Sequence, residues 1–249
     1  MKNVLIVLAG FLTTCMFCPV FAQEIHIVTE DYPPYNYPDP DSGNAMGFST
    51  EVVNALLREL NVQAKIKFYP WTRAYKMAMN EPNVLIYSMK RTAKRESLFK
   101  WVGELLTTEI YFIALKRSSI APTFDIEALK SYSVGAVRGG STAKALEADG
   151  FKIQLVADRE QNWKKLKAGR IDLWCTEKLS AQYTIKTLKD DPEQIKPVAL
   201  YKKVSGHSLY MAFSRQTDDM LVEKFRKGFV RLQSQDIYHS ILKKYGLMK

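Results

Sequence analysis

Twice in this chain, strand-like stretches alternate with helix-spaced apolar residues, and an extended aromatic segment separates the two runs. In the first run, Glu24-Ile25-His26-Ile27-Val28-Thr29 alternates as a strand does. A long loop follows, "EDYPPYNYPDPDSGNAMG", rich in proline, tyrosine and turn residues. Val52, Val53, Leu56, Leu57 and Leu60 then fall at helical spacing. "VQAKIKFY" reads as a strand, "WTRAYKMAM" as a helix stopped before Pro82, and "NVLIYS" as a strand. The second run has strands at "SYSVGAV", "FKIQLV" and "IDLWC". Its helices are "STAKALEAD", capped by Ser141, "REQNWKKLKAG", closed by Gly169, and "EKLSAQYTIKTL". Such alternation predicts α/β lobes with largely parallel sheets.

The intervening "TTEIYFIALK" and the later "SLYMAFS" (208–214) read as two connecting segments crossing between the lobes. Two further helix patterns, 218–233 and 236–246, are expected to pack back on the first lobe. The expected organisation is a signal peptide at 1–22, lobe one at 23–114, lobe two at 115–206, and a return to lobe one at 207–249. A cleft between hinged lobes is where ligands bind and domains close.

Composition narrows the function. Residues 1–22 show a charged start at Lys2, a short apolar core, and Val20 and Ala22 before a cleavage position, the pattern of a secretory signal. Its apolar run is short for a membrane anchor. Cys15 and Cys18 suggest a lipoprotein, but Thr14 before Cys15 argues against it. Beyond the signal only Cys175 remains, so no internal disulfide forms, which suits a bacterial periplasm. The net charge of +10 invites a nucleic-acid reading. The basic residues are scattered, however, and no helix-turn-helix, zinc spacing or RNA motif accompanies them. His26, His207 and His239 are far apart and give no metal spacing. No cofactor is expected.

The densest basic cluster is Lys90-Arg91-Thr92-Ala93-Lys94-Arg95-Glu96, just after an apolar strand. It is either a solvated turn or an anion site. Here the chain resembles the bacterial extracellular solute-binding proteins of family 3. The resemblance runs through Tyr32-Pro33-Pro34-Tyr35, Gly47-Phe48, Ser88-x-x-x-Thr92-x-x-Arg95, Trp101, "VGAVRGGST", "LKAGRIDLWCTE" and the closing Lys-Lys-Tyr-Gly. It implies a two-lobed α/β periplasmic-binding-protein-like (type II) fold that traps a polar amino acid, or a similar small carboxylate, for an ABC importer. The partners it implies are the small-molecule ligand and a membrane permease, with the receptor a monomer in the periplasm.

The resemblance assigns Arg95 to the ligand's carboxylate, which a guanidinium fork matches. Thr92 is then the cap of the turn that carries it. Ser141 shares the carboxylate at a helix start, and Glu177 stands where relatives hold an acid for the α-ammonium. Tyr32 is either a ligand-covering aromatic or loop packing. Trp71 and Arg73 follow the second strand, and Arg73 meets either a ligand carboxylate or an acid of the Tyr32 loop. Ser88 ends a strand facing the cleft. Lys90 replaces a small hydroxyl residue and puts a cation near the pocket wall, where an extra anionic group on the ligand would meet it. Lys94 faces water. Asp172 is structural, and Trp163 and Trp174 are core. The alternatives are a sensory receptor of the same fold, or a cyclohexadienyl dehydratase with Glu177 as general acid.

Overall fold

The computed structural model describes residues 24–247 other than residues 40 and 205. The expected signal peptide lies outside the described residues. In chain order the first half comprises β1 (His26–Thr29), β2 (Tyr37–Pro38), β3 (Ala45–Met46), α1 (Phe48–Glu59), β4 (Ile66–Phe68), α2 (Trp71–Asn80), β5 (Val84–Lys90), a 3-10 turn (Ala93–Leu98) and β6 (Phe99–Thr107). The second half has β7 (Tyr111–Leu115), β8 (Ser133–Val137), α3 (Ser141–Ala148), β9 (Lys152–Val156), α4 (Arg159–Lys167), β10 (Leu173–Thr176), α5 (Lys178–Thr187) and β11 (Ile195–Leu200). The chain returns through β12 (Ser208–Ser214), α6 (Asp219–Gln233) and α7 (Asp236–Lys244).

Two five-stranded sheets result, ordered β4-β1-β5-β12-β6 and β11-β7-β10-β8-β9. Each mixes parallel and antiparallel pairs: β1 runs parallel to β4 and β5, whereas β12 is antiparallel to β5 and β6. The parallel ladders come from the β-α-β units read in the sequence. Of the antiparallel strands, β7 and β12 are the segments read there as connectors. β7 belongs to the second sheet, between β10 and β11, and β12 belongs inside the first. The first crossing is therefore residues 108–110, and a boundary at 114/115 falls within β7. Strand pattern alone does not say which sheet a segment joins. The two crossings lie side by side: Gly206 N donates to Thr108 O at 2.9 Å, and Tyr201 N to Ile110 O at 2.8 Å.

One face of the first sheet buries Ile27, Leu85, Tyr87 and Phe213 against α1, α6 and α7 through Val52, Leu56, Phe225, Phe229 and Ile241. The C-terminal helices thus close over the first lobe. The other face packs Val28, Ile86 and Met89 on Trp71, Ala74 and Ala78 of α2. The second sheet has its own two clusters, one around Phe112, Leu146 and Leu173 and one around Trp163, Trp174 and Ile185.

Two local features aim the site. In β5, Ser88 adopts φ +56°, a left-handed conformation rare for a non-glycine residue. The register with β12 shifts there: Met89 pairs with Tyr210 and Ile86 with Ala212, so Tyr87 and Ser88 together oppose Met211. This is a β-bulge. It slips the side-chain alternation, so Tyr87 and Met89 face opposite layers, and Lys90 comes to the cleft. In the proline-tyrosine loop, the carbonyls of Pro34 and Tyr35 accept from the Phe48, Ser49 and Thr50 amides. These are the donors that the start of α1 leaves open, because its cap residue, Gly47, has no side chain to offer. The loop is thereby held against the helix.

Candidate functional site

A cavity of about 60 Å³ lies between the lobes. Tyr32, Trp71, Ser88, Lys90 and Arg95 line it from lobe one, and Ser141 and Glu177 from lobe two. The structure brings these sequence-singled residues to one place. Arg73 is not among them. It is exposed and lies over the Tyr69 ring at 4.3 Å. Two positions along a helix turn a side chain about 200°, so with Trp71 facing inward Arg73 faces out, and it pairs with no loop acid.

The basic cluster divides sharply. Arg91 forks onto the exposed Glu96, with Nε to Oε2 at 2.8 Å. Lys94 is exposed. Arg95 and Lys90 are buried, at 4% and 6% exposure. Arg95 sits in the 3-10 turn, held by its own amide to Thr92 O at 2.8 Å. The Thr92 side chain makes no capping bond, so the hold is backbone only. Arg95 Nη1 donates to Lys90 O at 3.0 Å, and its guanidinium lies 4.9 Å from the Trp71 ring centre and 5.1 Å from that of Tyr75. Among the described residues no carboxylate pairs with it. Burial lowers its pKa, with Tyr75 and Glu30 opposing. A buried guanidinium facing a cavity without a counter-ion is a strong anion site.

Glu177 precedes α5 and is 4% exposed. Its Oε1 lies 3.6 Å from Lys90 Nζ, an ion pair between the lobes. Burial pushes the Glu177 carboxyl up, but Lys90 and Arg159 pull it down, and the net direction is down. Burial lowers the Lys90 ammonium, and Glu177 opposes this. The asymmetry is physical: the acid faces two cations, whereas Lys90 faces one acid and the repelling Arg159. Tyr32 is buried, and its hydroxyl is pushed up by burial and by the Glu177 charge. Ser88 Oγ and Glu177 Oε1 are buried at the cavity without hydrogen-bond partners among the described residues.

Ser141 is the first residue of α3; the cap is Gly140, and no side-chain capping bond forms. Ser141 therefore does not cap this helix, contrary to the sequence expectation, and its hydroxyl is not spent there. Asp172 Oδ2 accepts from Ser133 N at 2.8 Å and Ser133 Oγ at 2.7 Å, a structural role. Trp163 is core. Trp174 is also core, and its edge reaches the cavity wall beside Cys175.

Sequence reading missed Glu30 and Arg159. Arg159 Nη1 donates across the cleft to Glu30 Oε2 at 2.8 Å and Asp31 O at 3.0 Å, and its guanidinium lies 3.5 Å from the Tyr32 ring centre. Burial opposes the Arg159 charge, but Glu30, Tyr32 and Glu177 outweigh it and raise its pKa. Both residues follow the carboxyl ends of parallel strands, β1 and β9, where ligand sites of α/β sheets collect. That position is the signal that would have found them. Two more bonds join the lobes: Trp71 Nε1 to Gly139 O at 3.0 Å, and Tyr183 OH to Tyr37 OH at 2.6 Å. The lobes are closed on each other.

Among the described residues no group of acids, histidines and cysteines has metal-holding geometry, and no helix is long and apolar enough to cross a membrane. The Cys175 thiol is pushed well up by burial, so it serves as an apolar wall.

Comparison with known proteins places this architecture. The lysine/arginine/ornithine-binding periplasmic protein of Escherichia coli is 24% identical over 256 residues, spanning 96% of this chain and 93% of that protein. The L-arginine-binding protein of Pseudomonas aeruginosa is also 24% identical over 256 residues, spanning 97% and 95%. Among solved structures, an ancestral arginine-binding protein bound to arginine superposes with a TM-score of 0.77 at 20% identity, covering 89% of this chain and 97% of that one. A histidine kinase sensor domain with similarity to periplasmic binding proteins superposes at 0.78 and 20% identity, covering 90% and 96%. The family model of the bacterial extracellular solute-binding proteins, family 3, matches residues 25–248. The two-sheet architecture, the cleft and that match together make this chain a member of the bacterial extracellular solute-binding proteins of family 3, a binding protein and not an enzyme.

Proposed function

We propose that the chain is a periplasmic receptor that encloses a polar amino acid or similar small carboxylate by lobe closure and hands it to an ABC importer. One observation carries the reading: Arg95 is buried at the cleft without a carboxylate partner among the described residues. Tyr32, Trp71, Ser88 and Lys90 form the wall on one lobe, and Ser141 and Glu177 complete it from the other. A ligand touching both lobes favours the closed form, because only that form makes all the contacts. The importer partner, the monomeric state and the periplasmic location rest on the family and on relatives whose names include a periplasmic amino-acid receptor. The lowered Glu177 pKa is the opposite of what a general acid needs.

A thermal-shift panel of amino acids and small carboxylates, run after refolding to strip carried-over ligand, tests this. A ligand at 100 times its Kd adds about 2.7 kcal/mol. The reading expects such a shift from at least one carboxylate, and its loss in Arg95→Ala. A panel in which nothing shifts, or in which Arg95→Ala shifts as wild type does, refutes it.

A further inference from the structure

The acid expected to receive a ligand's ammonium is already held by a cation of the protein. Lys90 reaches across from β5 and sets its Nζ 3.6 Å from Glu177 Oε1, with a further bond to Val204 O at 3.4 Å. The charged groups lining the cavity are Glu30, Glu177, Lys90, Arg95 and Arg159. Glu30 is engaged by Arg159 at 2.8 Å, and Glu177 by Lys90. Arg95 is left over, so the wall carries one more cation than acids. The remaining groups are the Ser88, Ser141 and Thr142 hydroxyls, which can donate or accept, and the first amides of α3, which only donate.

An α-amino acid fits such a wall poorly. Its carboxylate suits Arg95, but its ammonium finds Glu177 shared with the Lys90 ammonium. In a dry cleft two like charges on one carboxylate repel strongly. The zwitterion also brings no net charge to balance the surplus cation. A carboxylate with a hydroxyl or carbonyl oxygen in place of the ammonium brings one negative charge and an acceptor for Lys90 or Ser88. The cavity of about 60 Å³ favours a short carbon skeleton, since one water needs about 10–15 Å³ on the same measure and the space is that of about four to six waters.

We propose that Lys90 stands in for the ligand's ammonium, and that the site selects small monocarboxylates lacking a charged amine, such as 2-hydroxy or 2-oxo acids. The inference rests on Arg95 as the carboxylate anchor. It makes Lys90 a specificity-determining residue, and it replaces the expectation that Lys90 meets a second anionic group on the ligand.

Isothermal titration of the purified protein with matched skeletons tests it: L-alanine against L-lactate and pyruvate, and L-valine against 2-hydroxy-3-methylbutanoate and 3-methyl-2-oxobutanoate. In at least one series the hydroxy or oxo acid is expected to bind at least tenfold more tightly than the amino acid. Lys90→Ser frees Glu177 and is expected to narrow or reverse that ratio. Lys90→Met, which keeps the stem's packing, serves the same purpose if the serine variant does not fold. An amino acid that binds wild type as tightly as its oxo counterpart overturns the proposal. The carboxylate-receptor reading then survives, provided Arg95→Ala abolishes that binding. A wild type that binds none of these carboxylates overturns the Lys90 proposal, and a silent broader panel overturns the receptor reading as well. A preference for the oxo acid that Lys90→Ser leaves unchanged overturns the role of Lys90.

Discussion

Glu177 and Lys90 form a buried pair whose value depends on both charges. Breaking such a pair by removing one partner costs about 3 kcal/mol, because the other charge stays buried. Glu177→Gln is therefore expected to lower unfolding free energy by about that amount at neutral pH. The pH dependence has a definite sign. The folded pKa of Glu177 lies below its ordinary 4.5. Its stabilisation is fully present above the unfolded value and is lost as pH falls through the folded value. Urea unfolding from pH 7 to pH 3 should show a steeper acid loss in wild type than in Glu177→Gln; parallel curves would argue against the pair. Arg95, Ser88 and Glu177 were legible as single residues because each sits in a short motif. Arg159 and Glu30 were not: they meet over a separation of 129 residues, and neither stands in a local pattern. Arg73 was misplaced because spacing from Trp71, not proximity in sequence, decides which way a helical side chain faces.

Among the elements, α6 approaches β6 closely at a glycine. A Cβ built on Gly103 would stand 2.2 Å from Phe229 Cδ1, inside contact distance with a ring packed in the core. Gly103→Ala should therefore destabilise the first lobe by about 1–3 kcal/mol, the usual range for overpacking. A drop in urea midpoint without a change in slope would record it. Helices and parallel strands were readable from period alone, since apolar spacing reports which face is buried. The antiparallel strands β7 and β12 were read as connectors. Their extended, β-branched composition suits a strand in either sheet, and only long-range pairing decides between them. The bulge at Ser88 had no readable signature, because serine gives no warning of a positive φ, yet it is the feature that turns Lys90 into the cleft.

For the whole molecule, repetition of the β-α-β pattern was enough to read two lobes, and the contacts that close them were not. Those contacts include one from outside the cavity wall, the Tyr183 to Tyr37 hydroxyl bond at 2.6 Å. It joins α5 of lobe two to the proline-tyrosine loop of lobe one, which α1 holds in place. Losing one such bond weakens the closed form by about 1 kcal/mol, or about fivefold in the closing equilibrium. The ligand's own contacts are untouched by Tyr37→Phe. A trap that releases cargo only on opening then predicts a dissociation rate raised about fivefold, with the same ranking of ligands as wild type. Stopped-flow release of the tightest carboxylate measures this. A cleft that admits ligand without closing would show no change in the rate. Gly139→Ala acts on the same motion from the other side: its φ is +72°, and its Cβ would stand 3.0 Å from Thr72 Cγ2 across the cleft. Left-handed strain of about 1–2 kcal/mol falls there on a residue whose carbonyl receives Trp71 Nε1. The two substitutions act on separate bonds between the lobes, so faster release in both would show that both bonds hold the closed form, whereas a response to Gly139→Ala alone would confine the gate to the Trp71 edge.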